Sequence, residues 1–403
     1  MTTAAVFNPF VPSYRKNPYL QLGRLREADP VHFSAALQAW ILTRYEDCLA
    51  VMRDHATFSS DAHNARGQLA EALQQQRRES PVGDVATVLG VDPPRHTEMR
   101  AIVNRAFTPR RVQALRPRIE EIARELLATA PVTGDFELMT GLAQPLPVIV
   151  IAELLGVPAA DRGRFKHWSN AIAATTNLLQ TEEMQATTRQ AVQEVVDYLG
   201  AFIRDRQREP REDLISVLVA ADEGGRRLSP EEILAFAILL LVAGNETTTN
   251  LIGNGMAALL EHPEALARLR EEPDLLPVAV EELLRYDSPV QGLARFTTQA
   301  VEMHGRTIAQ GDVVLCMIGS ANHDPAAFVD PDALVLDRDP NRHLSFGQGI
   351  HFCLGAPLAR LEADIAFRAL LDRWRSLSLA EGGLERGGTL LLRGPERLLL
   401  RAS

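Results

Sequence analysis

The sequence predicts a mainly α-helical protein with small β-sheets gathered toward its C-terminal part. Three observations carry that expectation. Helix-patterned segments fill most of the first three quarters of the chain. One of them, opening at Ser229-Pro230-Glu231-Glu232, stays apolar for roughly 30 residues, or ~45 Å at 1.5 Å per residue. After Tyr286 the pattern changes to short β-like runs divided by turns. No repeat, Gly/Ser linker or composition break divides the 403 residues, so a single domain over 1–403 is expected.

Short β-like runs stand at 31–33 and 39–43. The stretch 59–94 is charge-rich and broken by Pro81, Gly83, Gly90, Pro93 and Pro94, the pattern of a functional loop or lid. Asp92-Pro93-Pro94 then gives way to a helix over about 95–106, and Thr108-Pro109 closes it and opens another over about 110–130. Further helices are expected at about 142–155, 159–178 and 181–208. The long helix has Ser229 as N-cap, a proline in its first turn and acids at the positive end of its dipole. Its apolar content is too continuous for a surface helix, so it belongs at the centre. A helix over about 275–286 follows, then strands at 294–298, 301–303, 307–308 and 313–317. An Asp- and Pro-rich meander covers 324–344, a last helix covers 356–374, and weak strands end the chain.

Composition excludes several classes. Lys plus Arg is 42 against 52 Asp plus Glu, a net charge of −10, which speaks against a nucleic-acid binder and against adhesion to an anionic membrane. The three cysteines, Cys48, Cys316 and Cys353, are too few and too scattered for a disulfide framework, which fits a reducing cytoplasm. The first ten residues lack the basic and apolar regions of a signal peptide. The longest unbroken apolar run, 233–243, falls short of the ~18 residues that span a bilayer. No membrane and no nucleic-acid partner are therefore expected, and a cytoplasmic location is.

The most informative segment is Phe346-Gly347-Gln348-Gly349-Ile350-His351-Phe352-Cys353-Leu354-Gly355. Its glycines permit tight turns and close backbone approach to a flat ligand. Cys353 stands directly before a helix, whose first N–H groups favour a thiolate, a soft and strongly donating metal ligand. A lone cysteine is more often a buried structural residue, the reading that suits Cys48 and Cys316. The segment resembles the haem-binding loop of the cytochrome P450 family, Phe-x-x-Gly-x-(His/Arg)-x-Cys-x-Gly, through Phe346, Gly349, His351, Cys353 and Gly355.

Three further motifs extend the resemblance in the right order. Ala243-Gly244-Asn245-Glu246-Thr247-Thr248 lies mid-helix, where glycine costs ~1 kcal/mol relative to alanine. Close packing at Gly244 and a Thr247 bond to the preceding turn are the ordinary explanation, and they leave Glu246 an unexplained acid. The family likeness makes Ala243 and Gly244 neighbours of haem and oxygen, with Glu246 and Thr247 managing protons and water. Glu282-Leu283-Leu284-Arg285 puts two charges on one helix face. The resemblance buries them with Arg338 as a structural unit. His96-x-x-x-Arg100 also shares a face, and the resemblance assigns both, with Arg295 and His351, to the haem propionates; arginine forks onto carboxylates.

What the resemblance implies is a P450-like fold with the long helix crossing the haem, haem b ligated by the Cys353 thiolate, and a monooxygenase of the soluble bacterial type. It would insert one atom of O2 into a small hydrophobic organic substrate by hydroxylation, epoxidation or oxidative dealkylation. Phe346, Gly347 and Gly355 would shape the haem loop. Leu239, Val242, Ala243, Val290 and Gln291, with the 59–94 loop, the region near Leu178 and 390–392, would line the substrate pocket. The chain carries no cysteine cluster and no dinucleotide fingerprint, so electrons would come from a ferredoxin and a ferredoxin reductase fed by NAD(P)H. Arg342 and Arg360 would face that acidic partner. A haem-thiolate enzyme that does not use O2 is the competing reading, and such enzymes commonly lack the acid–threonine pair present here.

Overall fold

The helix Pro230–Glu261 organises the molecule, and its start is fixed as the sequence predicts. The Ser229 hydroxyl accepts from the Glu232 N–H at 3.2 Å, and the Glu232 carboxylate accepts from the Ser229 N–H at 2.9 Å. The structure, a computed structural model, describes residues 7–67, 71, 74, 75, 78, 83–173 and 181–403. Around the long helix pack the helices Pro145–Leu155, Glu182–Arg208, Leu276–Tyr286 and Ala356–Arg373. By length and composition it is apolar enough to cross a membrane, yet these neighbours bury most of it, so it serves as a core helix. Its glycines admit them closely. A Cβ on Gly253 would lie 2.9 Å from Met139 Sδ, and one on Gly255 2.6 Å from Phe367 Cζ.

Among the described residues, ten strands form three small sheets. They are β1 Val31–Ser34, β2 Ala39–Leu42, β3 Phe58–Ser59, β4 Gly134–Glu137, β5 Leu293–Thr297, β6 Val301–Met303, β7 Arg306–Ile308, β8 Val313–Cys316, β9 Leu377–Gly388 and β10 Arg393–Ala402. The largest sheet runs β1-β2-β8-β5-β3; β2 and β8 are parallel, with Trp40 opposite Val314. It joins the N-terminal hairpin to β8, about 270 residues later, and places Arg295 of β5 opposite Val314 of β8. A second sheet, β4-β10-β9, closes on the long helix, and β6-β7 is a hairpin.

Most expected elements form within two or three residues of their predicted ends, and the differences have local causes. The expected helix over 110–130 is two helices, Pro109–Ala114 and Arg116–Leu127, because Pro117 restarts the ladder where a proline is best tolerated. Leu214–Ala220, capped by Asp213 accepting from the Ser216 N–H at 2.8 Å, is too short for a period to show. Pro263–Glu271 was likewise not foreseen. The 159–178 segment is helical over Arg162–Ala173, and Leu178 lies outside the described residues. The 59–94 stretch is less bare than expected: Ala62–Asn64 makes a single turn and residues 71, 74, 75 and 78 are helical. Asp92 pins its two ends together, accepting from the Ser59 hydroxyl and, at 3.0 Å, from the Ser60 N–H.

The meander over 324–344 contains no regular element, so side chains satisfy its backbone. Arg285 forks onto Glu282 at 2.7 and 2.8 Å and donates to the carbonyls of Asn322, Pro331 and Ala333 at 2.7–2.9 Å. Arg338 donates to both Glu282 oxygens at 3.0 and 3.1 Å, and the Val335 N–H adds another bond at 2.9 Å. Glu282 and Arg285 are both 0% exposed. Removing one partner strands a buried charge, so Glu282→Ala should destabilise the fold by about 3–5 kcal/mol. Urea denaturation of the variant beside the parent measures it, and a loss under about 1 kcal/mol would contradict the arrangement.

Candidate functional site

Cys353 sits between a tight loop and a helix that begins three residues later. Its N–H donates to the Phe346 carbonyl at 2.9 Å, closing the loop on itself. Gly347 and Gly349 have φ of +68° and +71°, and a Cβ on Gly349 would lie 2.5 Å from the Met52 carbonyl oxygen, so this turn requires glycine. No side chain caps the helix Ala356–Arg373. The Gly355 and Ala356 amides instead point at the Cys353 sulphur. Burial raises the thiol above its usual range, while those amides and the charges of Arg100 and Arg360 pull it back. Such a sulphur suits a cation that replaces its proton.

Beside it stands a cluster of donors. His96 and His351 meet with ring centroids 4.3 Å apart and planes tilted by 60°, and the Nε2 atoms of both are buried without a partner. Burial, Arg295, His96 and Arg100 together push His351 down to about 3; burial and Arg100 push His96 down. Both rings are therefore neutral at physiological pH. Arg295 is buried and donates to the Ala294 carbonyl at 2.8 Å. Arg100 donates to Asn104 Oδ1 at 3.0 Å and to the Phe352 carbonyl at 2.7 Å. Among the described residues no carboxylate lies within 4 Å of either guanidinium. One buried and one half-buried cation with two imidazoles, Asp92 acting on them only from beyond ion-pair distance, form a receptor for an anionic group.

The long helix contributes one uncovered face. Leu239, Val242, Glu246 and Thr247 are half-buried and Ala243 is exposed, although the turns before and after are buried. The Thr247 hydroxyl donates to the Ala243 carbonyl at 2.7 Å. Glu246 Oε2 is buried and unpartnered, and burial pushes its carboxyl up to about 7. Gly244 turns the other way: a Cβ there would lie 3.0 Å from Ile151 Cδ1, so packing accounts for this glycine. Sequence reasoning missed Glu362, on the helix that follows Cys353. It is fully buried beside Thr248, and burial raises it to about 8. An acid within an apolar helix stripe was the available signal.

Some sequence-predicted residues lie elsewhere. Glu282, Arg285 and Arg338 form the separate knot already described. The Gln291 side chain donates to the Ser288 carbonyl at 2.7 Å and to Tyr19 Oη at 3.1 Å, so a buried network holds it rather than the uncovered face. Val290 bridges to Leu392 as a half-buried wall residue. Arg342 is exposed, whereas Arg360 is half-buried and donates to Glu281 at 2.6 and 2.7 Å, so its charge is answered within the chain.

The donor set fits a flat, dianionic, iron-bearing ligand. Cys353 offers one thiolate, the arginine–histidine cluster offers anion contacts, and among the described residues no group of three His, Cys, Asp or Glu makes a cofactor-free metal site. Known proteins agree with that geometry. The family model described as "Cytochrome P450" matches residues 39–386. The chain is 43% identical over 383 residues to "Polyketide biosynthesis cytochrome P450 PksS" of Bacillus subtilis, covering 93% of each. It is 40% identical over 389 residues to "6-deoxyerythronolide B hydroxylase" of Saccharopolyspora erythraea, covering 95% of each. Its fold superposes on the solved structure of Bacillus subtilis PksS with a TM-score of 0.89 at 41% identity, covering 99% of this chain and 100% of that one.

The Glu246 environment makes a signed prediction. Its folded pKa lies above the unfolded value, so its neutral form favours folding below about 4.5, and that contribution is lost as pH rises through about 7. Glu246→Gln should therefore gain about 2 kcal/mol over the parent at pH 8 and nothing at pH 4, at 1.36 kcal/mol per unit with a discount for partial exposure. Denaturation at the two pH values measures it, and an equal effect at both would contradict the burial argument.

Proposed function

Because this chain belongs to the cytochrome P450 family and is a monooxygenase carrying thiolate-ligated haem, we propose that Cys353 is the iron ligand and that His96, Arg100, Arg295 and His351 hold the propionates. The observation that carries the assignment is the cluster of two arginines and two neutral histidines, with no carboxylate of the described residues in ion-pair contact with either arginine, beside a cysteine faced by helix amides. When bound, the haem supplies activation of O2, so that one oxygen atom enters the substrate and the other leaves as water. Everything else is the work of the chain. Phe346, Gly347 and Gly355 shape the loop at the thiolate face. Ala243 presents little more than a methyl group, leaving room on the opposite side.

Proton handling falls to the long helix. The Thr247 hydroxyl, tethered to the Ala243 carbonyl, keeps its lone pairs free to accept. Glu246, poised near 7, can hold or release a proton at physiological pH. Glu362, beside Thr248 on the buried face of the helix, is a second buried store. This acid–threonine pair favours the O2-using reading over a peroxygenase or isomerase.

Leu239, Val242, Ala243 and Val290 offer apolar surface, so the substrate is a hydrophobic organic molecule, with Gln291 part of the supporting wall behind them. Relatives named for polyketide and erythronolide chemistry make polyketide-derived rings the first compounds to test. Hydroxylation, epoxidation and oxidative dealkylation share the same site requirements. Electrons come from a ferredoxin and its NAD(P)H-linked reductase, docking near Arg342, and the enzyme works as one domain in the cytoplasm.

Dithionite-reduced protein exposed to carbon monoxide should show a strongly red-shifted Soret band. Cys353→Ala should lose the band and the activity, and a band retained in that variant would remove Cys353 as ligand. Thr247→Ala should keep haem and substrate binding, while product formed per NAD(P)H consumed falls several-fold and peroxide rises. Unchanged coupling would take Thr247 out of the mechanism.

A further inference from the structure

Two adjacent glutamates leave the helix Leu276–Tyr286 in different directions. Glu282 grips the meander; Glu281 grips the helix that carries the thiol loop. The Glu281 carboxylate receives Arg360 Nε at 2.6 Å and Nη2 at 2.7 Å. Its Oε2 also lies 3.1 Å from His343 Nε2. The tautomer of that histidine is settled, because its Nδ1 accepts from the Ser345 N–H at 3.2 Å, so Nε2 bears the proton and donates. Against the pull of burial, Arg360 and His343 bring the Glu281 carboxyl down to about 2, so it is ionised throughout the working pH range.

The forked guanidinium has one more contact. Its central carbon lies 4.4 Å from the centroid of the Phe346 ring. Phe346 is the residue whose carbonyl receives the Cys353 N–H. Arg360 lies in the second turn of the helix Ala356–Arg373, into which the thiol loop leads. Exposed ion pairs contribute little. This one is forked, has a third partner that is itself 4% exposed, and lies on a ring.

We propose that Arg360 is a positioning residue whose guanidinium, aimed by Glu281 and His343 and laid on Phe346, offsets part of the negative charge at Cys353 and so sets the reduction potential of the haem iron. The inference rests on the haem-thiolate reading. Its sign follows from charge counting. Reduction adds one negative charge to the iron–thiolate unit, so a nearby cation favours the reduced form and a nearby anion opposes it.

The test is spectroelectrochemical titration of the haem-loaded parent and of Arg360→Gln, Arg360→Lys, Glu281→Gln and the double variant Glu281→Gln/Arg360→Gln. Arg360→Gln should shift the reduction equilibrium toward the ferric form about threefold, which is about 30 mV more negative for a one-electron couple. Glu281→Gln should shift it in the opposite direction by a similar factor. The double variant should return near the parent, and Arg360→Lys should fall between parent and Arg360→Gln. A purely structural pair would lower stability and haem retention in both single variants without opposite-signed potentials. Shifts of one sign, or none, with the red-shifted carbon monoxide band intact overturn this proposal alone. A parent protein without that band overturns the haem-thiolate reading and this proposal with it.

Discussion

The buried carboxylate of Glu282 is the fixed point on the Cys353 side of the molecule. It has no access to water, and it accepts from Arg285, Arg338, Asn341 and the Val335 N–H. Taking these charges out of water costs several kcal/mol per ion, and only complete pairing offsets that. The arrangement is therefore close to all-or-none. Completing it requires the meander over 324–344 to be in place, because Arg285 and Arg338 also spend donors on its carbonyls. The same region then fixes the next segment. Asn322 accepts from the Leu344 N–H and donates to Ser345, whose hydroxyl in turn donates to the Leu284 carbonyl. Phe346 and the thiol loop follow directly.

Four glutamates show how far environment, rather than residue type, sets chemistry in this fold. Glu282 is spent on structure. Glu281, next to it, is held near 2 by a forked arginine and a histidine. Glu246 and Glu362 meet only burial and a hydroxyl, and rise to about 7 and about 8. The first pair lies on the helix Leu276–Tyr286, and Glu281 there stays charged. The second pair flanks the long helix, where a proton can be held or released near neutrality. Charge that must not move and charge that must move are thus kept on different elements.

How much of this was legible in the sequence follows from the range of each interaction. The long helix was readable because capping is local: Ser229 and Glu232 stand three residues apart. The strands on 294–317 were readable from their period, but their union with Ala39–Leu42 was not, since a parallel pairing across about 270 residues leaves no local mark. At the site, the Cys353 loop announced itself through its glycines. The convergence of His96, Arg295 and His351 came only through family likeness, because three elements meet there. Glu281, Glu362 and the grip on Arg360 were missed because each depends on which face of a helix meets which neighbour. The bonds of Gln291 were unreadable for the same reason: its amide donates to the Ser288 carbonyl and to Tyr19 Oη.

The arginines divide the molecule by how their charge is answered. Arg206, Arg285, Arg338, Arg360 and Arg393 each face a carboxylate of the chain itself, and each closes a structural joint. Arg100 and Arg295 face none among the described residues, although Arg295 is buried and both lie beside histidines that burial and those cations keep neutral. A fold able to answer so many buried arginines internally has the means to answer these two. Leaving them together, next to a thiol that burial holds above its usual range and amides and cations draw down, stores unfavourable electrostatics in one place. A dianionic ligand carrying a metal cation would relieve both halves at once, its carboxylates meeting the arginines and its metal taking the place of the thiol proton. Because that relief exists only in the folded chain, binding and folding reinforce each other by mass action.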